Sequence, residues 1–114
     1  DFNTNNQIDL DIGMVDYRSN TLGSTTSLNL YCAMGVNNKM SAGEAITVNA
    51  ITAVDNASYY IDGLTIDGGS AETVNWVNGA PTDGGSSGVD IYTFTILKTG
   101  DAEFLVIGNQ TKTS

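Results

Sequence analysis

The sequence predicts an all-β domain: an antiparallel β-sandwich or jelly-roll-like fold of about seven to eight strands with little or no helix. Three observations predict it. Apolar and polar residues alternate with a period of two in one segment after another, the mark of half-buried strands, while the 3.6-residue period of an amphipathic helix is nearly absent. Gly- and Asn-rich doublets separate these runs at intervals of about 10–15 residues, a spacing suited to strands joined by tight turns. Finally, 114 residues with 40% apolar content fit one domain, and a domain of this size buries roughly two thirds of its unfolded surface.

The elements follow in order. Residues 1–7 are polar and Asn-rich with only Phe2 as an anchor, and they read as a flexible or partner-docked segment ahead of a single domain at residues 8–114. Ile8, Leu10, Ile12 and Met14 alternate with Asp9, Asp11 and Gly13 as a first strand. Leu28, Leu30, Cys32 and Met34 repeat the pattern after a Thr/Ser-rich lead-in. Around Met40–Ala45, Ser41 can cap one helical turn through Glu44. Ile46, Val48 and Ala50 form the next strand, where Ile51 and Ala53 slip the phase as a bulge would. Tyr60, Leu64 and Ile66 share a face. Val74–Val77 is short, and Val89–Leu97 with Phe104–Ile107 reads as a central strand and its hairpin partner. Asp67-Gly68-Gly69, Asn78-Gly79 and Gly100-Asp101 supply the positive φ that such turns require. Thr82–Gly88 (TDGGSSG) is a loop, mobile or ordered against a neighbour.

Charge excludes several functions. The net charge is −9, with four basic residues and no histidine. Nucleic-acid binding needs clustered Lys and Arg to displace counterions from phosphates, and anionic membrane surfaces make the same demand. No apolar stretch approaches the ~18–20 residues of a membrane span. Asp1 in first position, with no signal peptide behind it, fits a processed product or part of something longer. Without histidine, a general base at neutral pH must be a carboxylate or lysine of shifted pKa. No catalytic constellation is legible, and we expect a protein that is not an enzyme. A glycosidase, for example, needs two carboxyl groups roughly 5–10 Å apart across a cleft. Cys32, the single cysteine, lies in an apolar run and reads as a small core residue.

Four residues stand out as candidate interface or ligand contacts: Trp76, Asn78, Tyr59 and Asp83. A single tryptophan on a β-sandwich can stack on a sugar, with Asn75, Asn78 and Asp83 hydrogen-bonding its hydroxyls; equally it can bury its ring and pair its N–H within the fold. Tyr59-Tyr60 place one ring on each face of a strand, so that one can anchor an interface. No cofactor is expected. Calcium is the one ion weighed, on Asp9, Asp11 and Asp16 and on Asp62, Asp67 and Asp83, but Asp9 and Asp11 share a strand face with no turn to converge them, and no spacing matches the twelve-residue calcium loop. Two Asn-X-Ser/Thr sequons, at Asn56 and Asn109, arise readily in so Asn- and Thr-rich a chain.

The order Ile61-Asp62-Gly63, Trp76, Gly79-Ala80-Pro81-Thr82, Val89-Asp90-Ile91-Tyr92-Thr93-Phe94 and Gln110-Thr111-Lys112 resembles a β-sandwich module of tailed-bacteriophage virion proteins, known from fibre-like and structural proteins of marine phages. The resemblance lies mainly over residues 61–114. It implies a structural protein on the virion surface, an extracellular particle, and there a capsid decoration (cement) protein or a tail-fibre module. Its partners would be copies of itself and phage capsid or tail proteins. Two other readings stand beside it: a carbohydrate-binding module that attaches to a host glycan, and a filament subunit whose Asp1–Asp16 segment adds a strand to its neighbour. Edge strands need cover, and one proline and three lysines supply little of it. A homotrimer or larger symmetric array is therefore expected.

Overall fold

The computed structural model describes residues 1–114. Eight strands and two short helices follow in the order α1 (Phe2–Asn5), β1 (Gln7–Asp9), β2 (Val15–Arg18), β3 (Thr26–Tyr31), α2 (Val36–Lys39), β4 (Ala45–Ala53), β5 (Ile61–Ile66), β6 (Val74–Trp76), β7 (Val89–Gly100) and β8 (Glu103–Lys112). They form a three-stranded sheet in the order β1-β3-β5 and a five-stranded sheet in the order β2-β4-β7-β8-β6. One core of apolar side chains joins the two: Ile8, Leu28, Leu30, Ile61, Leu64 and Ile66 from the small sheet meet Val48, Ala50, Tyr92, Phe94, Ile96 and Val106 from the large one.

The chain is all-β as expected, but antiparallel pairing is confined to β4–β7 and β7–β8. The pairs β1–β3, β3–β5, β2–β4 and β6–β8 are parallel. Parallel neighbours need a crossover of a dozen or more residues, usually a helix. For β1–β3, β2–β4 and β3–β5 the crossover is a strand of the opposite sheet, since from β1 to β6 the chain changes sheet at every step; β6 reaches β8 through β7 of the same sheet. Period-two alternation fixes which face a residue occupies but says nothing of the partner strand's direction, so the antiparallel expectation fails for these pairs. The expected central strand and hairpin partner are β7 and β8.

Other local expectations are corrected. The first strand stops at Asp9, because its carboxylate accepts from the Asp11 N–H at 2.9 Å and its carbonyl from the Ile12 and Gly13 N–H groups. This turn leaves Ile12 87% exposed, while Ile8 and Leu10 are buried in the chain's own core. Residues 1–7 pack against the chain's own fold. Asp1 caps α1 through the Asn3 N–H, Phe2 is fully buried, and the Asn3 side-chain oxygen accepts from the Ser19 and Asn20 N–H groups. No bulge interrupts β4, which pairs with β7 in unbroken register from Ala45 to Ala53; Ile51 simply faces outward. The helix expected near Ser41 is a single hydrogen-bonded turn to Glu44. Helix α2 lies just before it, with both Asp67 carboxylate oxygens accepting from its Val36 and Asn37 N–H groups. In the β7–β8 turn the positive φ falls on Ala102 (53°), not on Gly100.

Candidate functional site

Two surfaces invite function, a cleft and a sheet face. The cleft, of about 220 Å³, lies between the Asn78–Asp83 loop and the end of β8. Asn78 (φ 62°) and Gly79 (φ 89°) turn the chain after β6. Lys112 from β8 pairs with Asp83 at 2.7 Å, and Gln110 Nε2 donates to the Asp83 carbonyl at 2.8 Å. Asn109, Thr82 and Pro81 complete the lining.

Beneath the cleft, the Thr82–Gly88 loop is fastened to its own chain. The Gly85 N–H donates to both oxygens of the fully buried Asp90 carboxylate, at 2.9 and 3.1 Å. Ser114 Oγ accepts from the Ser86 and Ser87 N–H groups. Neither mobility nor a neighbouring molecule is needed to explain this loop. Tyr92 Oη accepts from the Ile61 N–H and from Gln110 Nε2, tying β5 to the large sheet. Burial raises the Asp90 pKa, partly offset by the Gly85 N–H, Lys112 and the Tyr92 hydroxyl. Burial likewise raises the Tyr92 phenol, and raises the Cys32 thiol with help from Asp11 and Asp67.

The structure brings Asn78 and Asp83 together in the cleft but not Trp76 or Tyr59. Trp76 points to the inner face, edge-on to Phe94 with ring centroids 5.6 Å apart at 64°. Tyr59 and Tyr60 precede β5 rather than lying in a strand, and both pack against the core. The acidic residues considered for calcium are apart or already committed: Asp9 to the Asp11 N–H of the turn after β1, Asp16 to the neighbouring Tyr17 N–H within β2, Asp11 to the Ala33 N–H, Asp67 to α2 and Asp83 to Lys112. No three acidic, histidine or cysteine side chains converge as a metal site.

The second surface is the outer face of the five-stranded sheet. Register places Tyr17, Ile51, Ile91 and Thr111 in one row across β2, β4, β7 and β8. Val15, Asn49, Thr93 and Asn109 form the next row, then Thr47, Thr95 and Ile107, then Ala45, Leu97 and Leu105. Val15, Tyr17, Leu105 and Ile107 are 62%, 51%, 42% and 43% exposed, and Ile51, Ile91 and Leu97 stand outside the core. None of these positions is charged, although the chain carries 13 acidic and 4 basic residues; Glu103 lies at the rim, where the β7–β8 hairpin turns.

No family model, curated protein or solved structure matches the chain.

Sequence reasoning did not single out Val15, Tyr17, Leu105 and Ile107 as surface residues. The available signal was apolar residues at both parities of β7 and β8, which reads equally well as burial on both faces. Nor did it place Asn109 and Gln110 opposite Asn78, because that pairing depends on β6 lying parallel to β8.

Proposed function

We propose that this chain is a structural module of a tailed-bacteriophage virion, a capsid decoration (cement) protein or fibre-type domain that acts by protein–protein contact and without catalysis. The observation that carries the contact reading is the uncharged, partly apolar outer face of the five-stranded sheet. Single exposed apolar residues are ordinary, but two apolar clusters on one uncharged sheet face of a strongly acidic protein mark a surface suited to be covered. Placement on a virion rests on the resemblance of residues 61–114, which supply β6, β7 and β8, three of the five strands of that face. The sandwich-like pair of sheets is then the rigid carrier for it. Mass spectrometry and a density map of the purified particle test the placement. The chain should occur in many copies at capsid symmetry axes or along a fibre; its absence from the particle would sink the proposal.

The cleft favours one second reading, recognition of a host glycan. The side chains of Asn78, Asn109 and Thr82 line it and are free to meet sugar hydroxyls. Glycan-array binding that disappears in Asn78→Ala, with unchanged thermal stability, would support this reading. An array with no binder would remove it.

A further inference from the structure

We propose that the outer face of the five-stranded sheet is a two-fold interface between two copies of this chain; the inference rests on reading that face as a contact surface and names its occupant. The argument is in the pattern. One corner of the face, on the β2–β4–β7 side, carries Tyr17, Ile51 and Ile91. The opposite corner, on the β7–β8 side, carries Leu97, Leu105 and Ile107. Between the corners runs a polar diagonal from Thr47 to Asn109. Its side chains are partly satisfied in place: Thr93 Oγ1 donates to Asn49 Oδ1 at 2.8 Å, and the Thr47 and Thr95 hydroxyls meet at 3.2 Å.

A two-fold axis lying in the interface along this diagonal maps each apolar corner onto the other. Two copies placed face to face would set the tyrosine–isoleucine corner of one against the leucine–isoleucine corner of its partner, twice, with polar diagonal on polar diagonal. That is the self-complementarity an isologous contact requires. A patch suited to an unrelated protein has no reason to complement itself.

Charge and size agree with this occupant. Two copies that each carry −9 repel through most of their surfaces, and the uncharged face lets them meet without burying carboxylates. The five strands, 3 to 12 residues long and about 4.8 Å apart, cover roughly 600 Å², at the lower end of the roughly 600–1,000 Å² per partner of a standard interface. A two-fold contact can also repeat within the symmetric array expected from sequence.

Sedimentation and light scattering on the isolated protein test the proposal. Wild type should show a reversible species of twice the 11.9 kDa chain mass. Thr95→Lys, outward-facing at the centre of the face, should weaken association roughly tenfold or more, because it brings like charges together across the axis. Leu105→Lys should do the same from a corner, whereas Ile12→Lys, exposed in the turn after β1 and outside the rows of the face, should leave the mass unchanged. Circular dichroism separates lost association from lost folding. Geometry is tested separately by oxidising mixtures: Ile51→Cys with Leu105→Cys should cross-link well, and either variant alone poorly. A strictly monomeric wild type at millimolar concentration overturns the proposal, as does association insensitive to both lysines, or cross-linking no better in the mixture. Dimerisation in solution is independent of presence in a virion, so either proposal can fail alone.

Discussion

Gly108 decides whether Trp76 is a packing residue or a ligand platform. It lies on the inner face of β8, in register with Phe94 on β7 and Trp76 on β6. A Cβ placed there would stand 2.7 Å from Val74 Cγ1 and 2.9 and 3.0 Å from Trp76 Cε3 and Cζ3. The indole therefore lies across a strand that leaves it room only by lacking a side chain. Real Cβ contacts do not come this close, and Gly108→Ala must move Val74, the indole ring or both. Overpacking of a filled site costs about 1–3 kcal/mol. Replacing a mid-strand glycine returns about 0.5–1 kcal/mol, so the expected net loss is about 1–2 kcal/mol, or roughly 4–10 °C in Tm for a domain of this length.

Denaturant titration followed by fluorescence suits the test, because Trp76 is the only tryptophan and reports on its own displacement. Gly108→Ala should lower the midpoint, leave the slope unchanged and shift the native emission to the red. Adding Val74→Ala, which removes the nearest contact, should recover part of the loss, so the double variant is more stable than the two single losses summed. A Gly108→Ala protein as stable as wild type with the same emission would refute the packing. The indole would then be free of β8 and available to a sugar.

Three further outcomes follow from particular residues. Phe2→Ala should cost about 3–5 kcal/mol, because Phe2 is wholly inside the core; a loss under 1 kcal/mol in urea titration would return the first seven residues to the status of a loose tail. Ala102→Gly should raise the unfolding free energy by about 0.5–1 kcal/mol, read as a higher urea midpoint, since the left-handed φ of 53° penalises a Cβ by more than glycine's extra freedom costs; a lower midpoint would contradict this. Burial raises the pKa of Asp90, so the folded state binds that proton more tightly than the unfolded chain, and this group's contribution is greatest at low pH and lost as pH rises through the folded value. Asp90→Asn should therefore gain stability relative to wild type as pH climbs above about 4, and a pH-independent difference between the two would show that the carboxylate is not held in a desolvated site.

What was legible in the sequence was whatever depends on neighbours in the chain. The β7–β8 hairpin could be read because its strands are joined by a short turn and carry unbroken apolar patterns. The Asn78-Gly79 and Asp67-Gly68 turns could be read because positive φ selects those residue types. Ala102 was missed because nothing in an alanine announces a left-handed φ. In that turn, hydrogen bonds from Asn37 set the backbone: its Oδ1 accepts from the Ala102 N–H and its Nδ2 donates to Asp101. Those contacts come from 65 and 64 residues away in sequence.

The parallel pairs and the outer face share one cause of illegibility. A strand's alternation tells which residues face together but not which partner or solvent they face, and β4 shows the consequence. Ile46, Val48 and Ala50 form a regular inward series, and Ile51 breaks it only if every apolar residue is assumed to be buried. A bulge was the explanation within the strand; the structure keeps the register intact and turns Ile51 outward. Beside it, β2 contributes Tyr17 in the same row, reached by a parallel pairing that no local pattern announces. An apolar cluster on the outside of the sheet thus depends on two facts the sequence hides: that the strand is regular, and that its neighbour comes from the other side of a crossover through the small sheet. Once both are known, Ile51 ceases to be an irregularity. It becomes one corner of the surface on which the contact proposal turns.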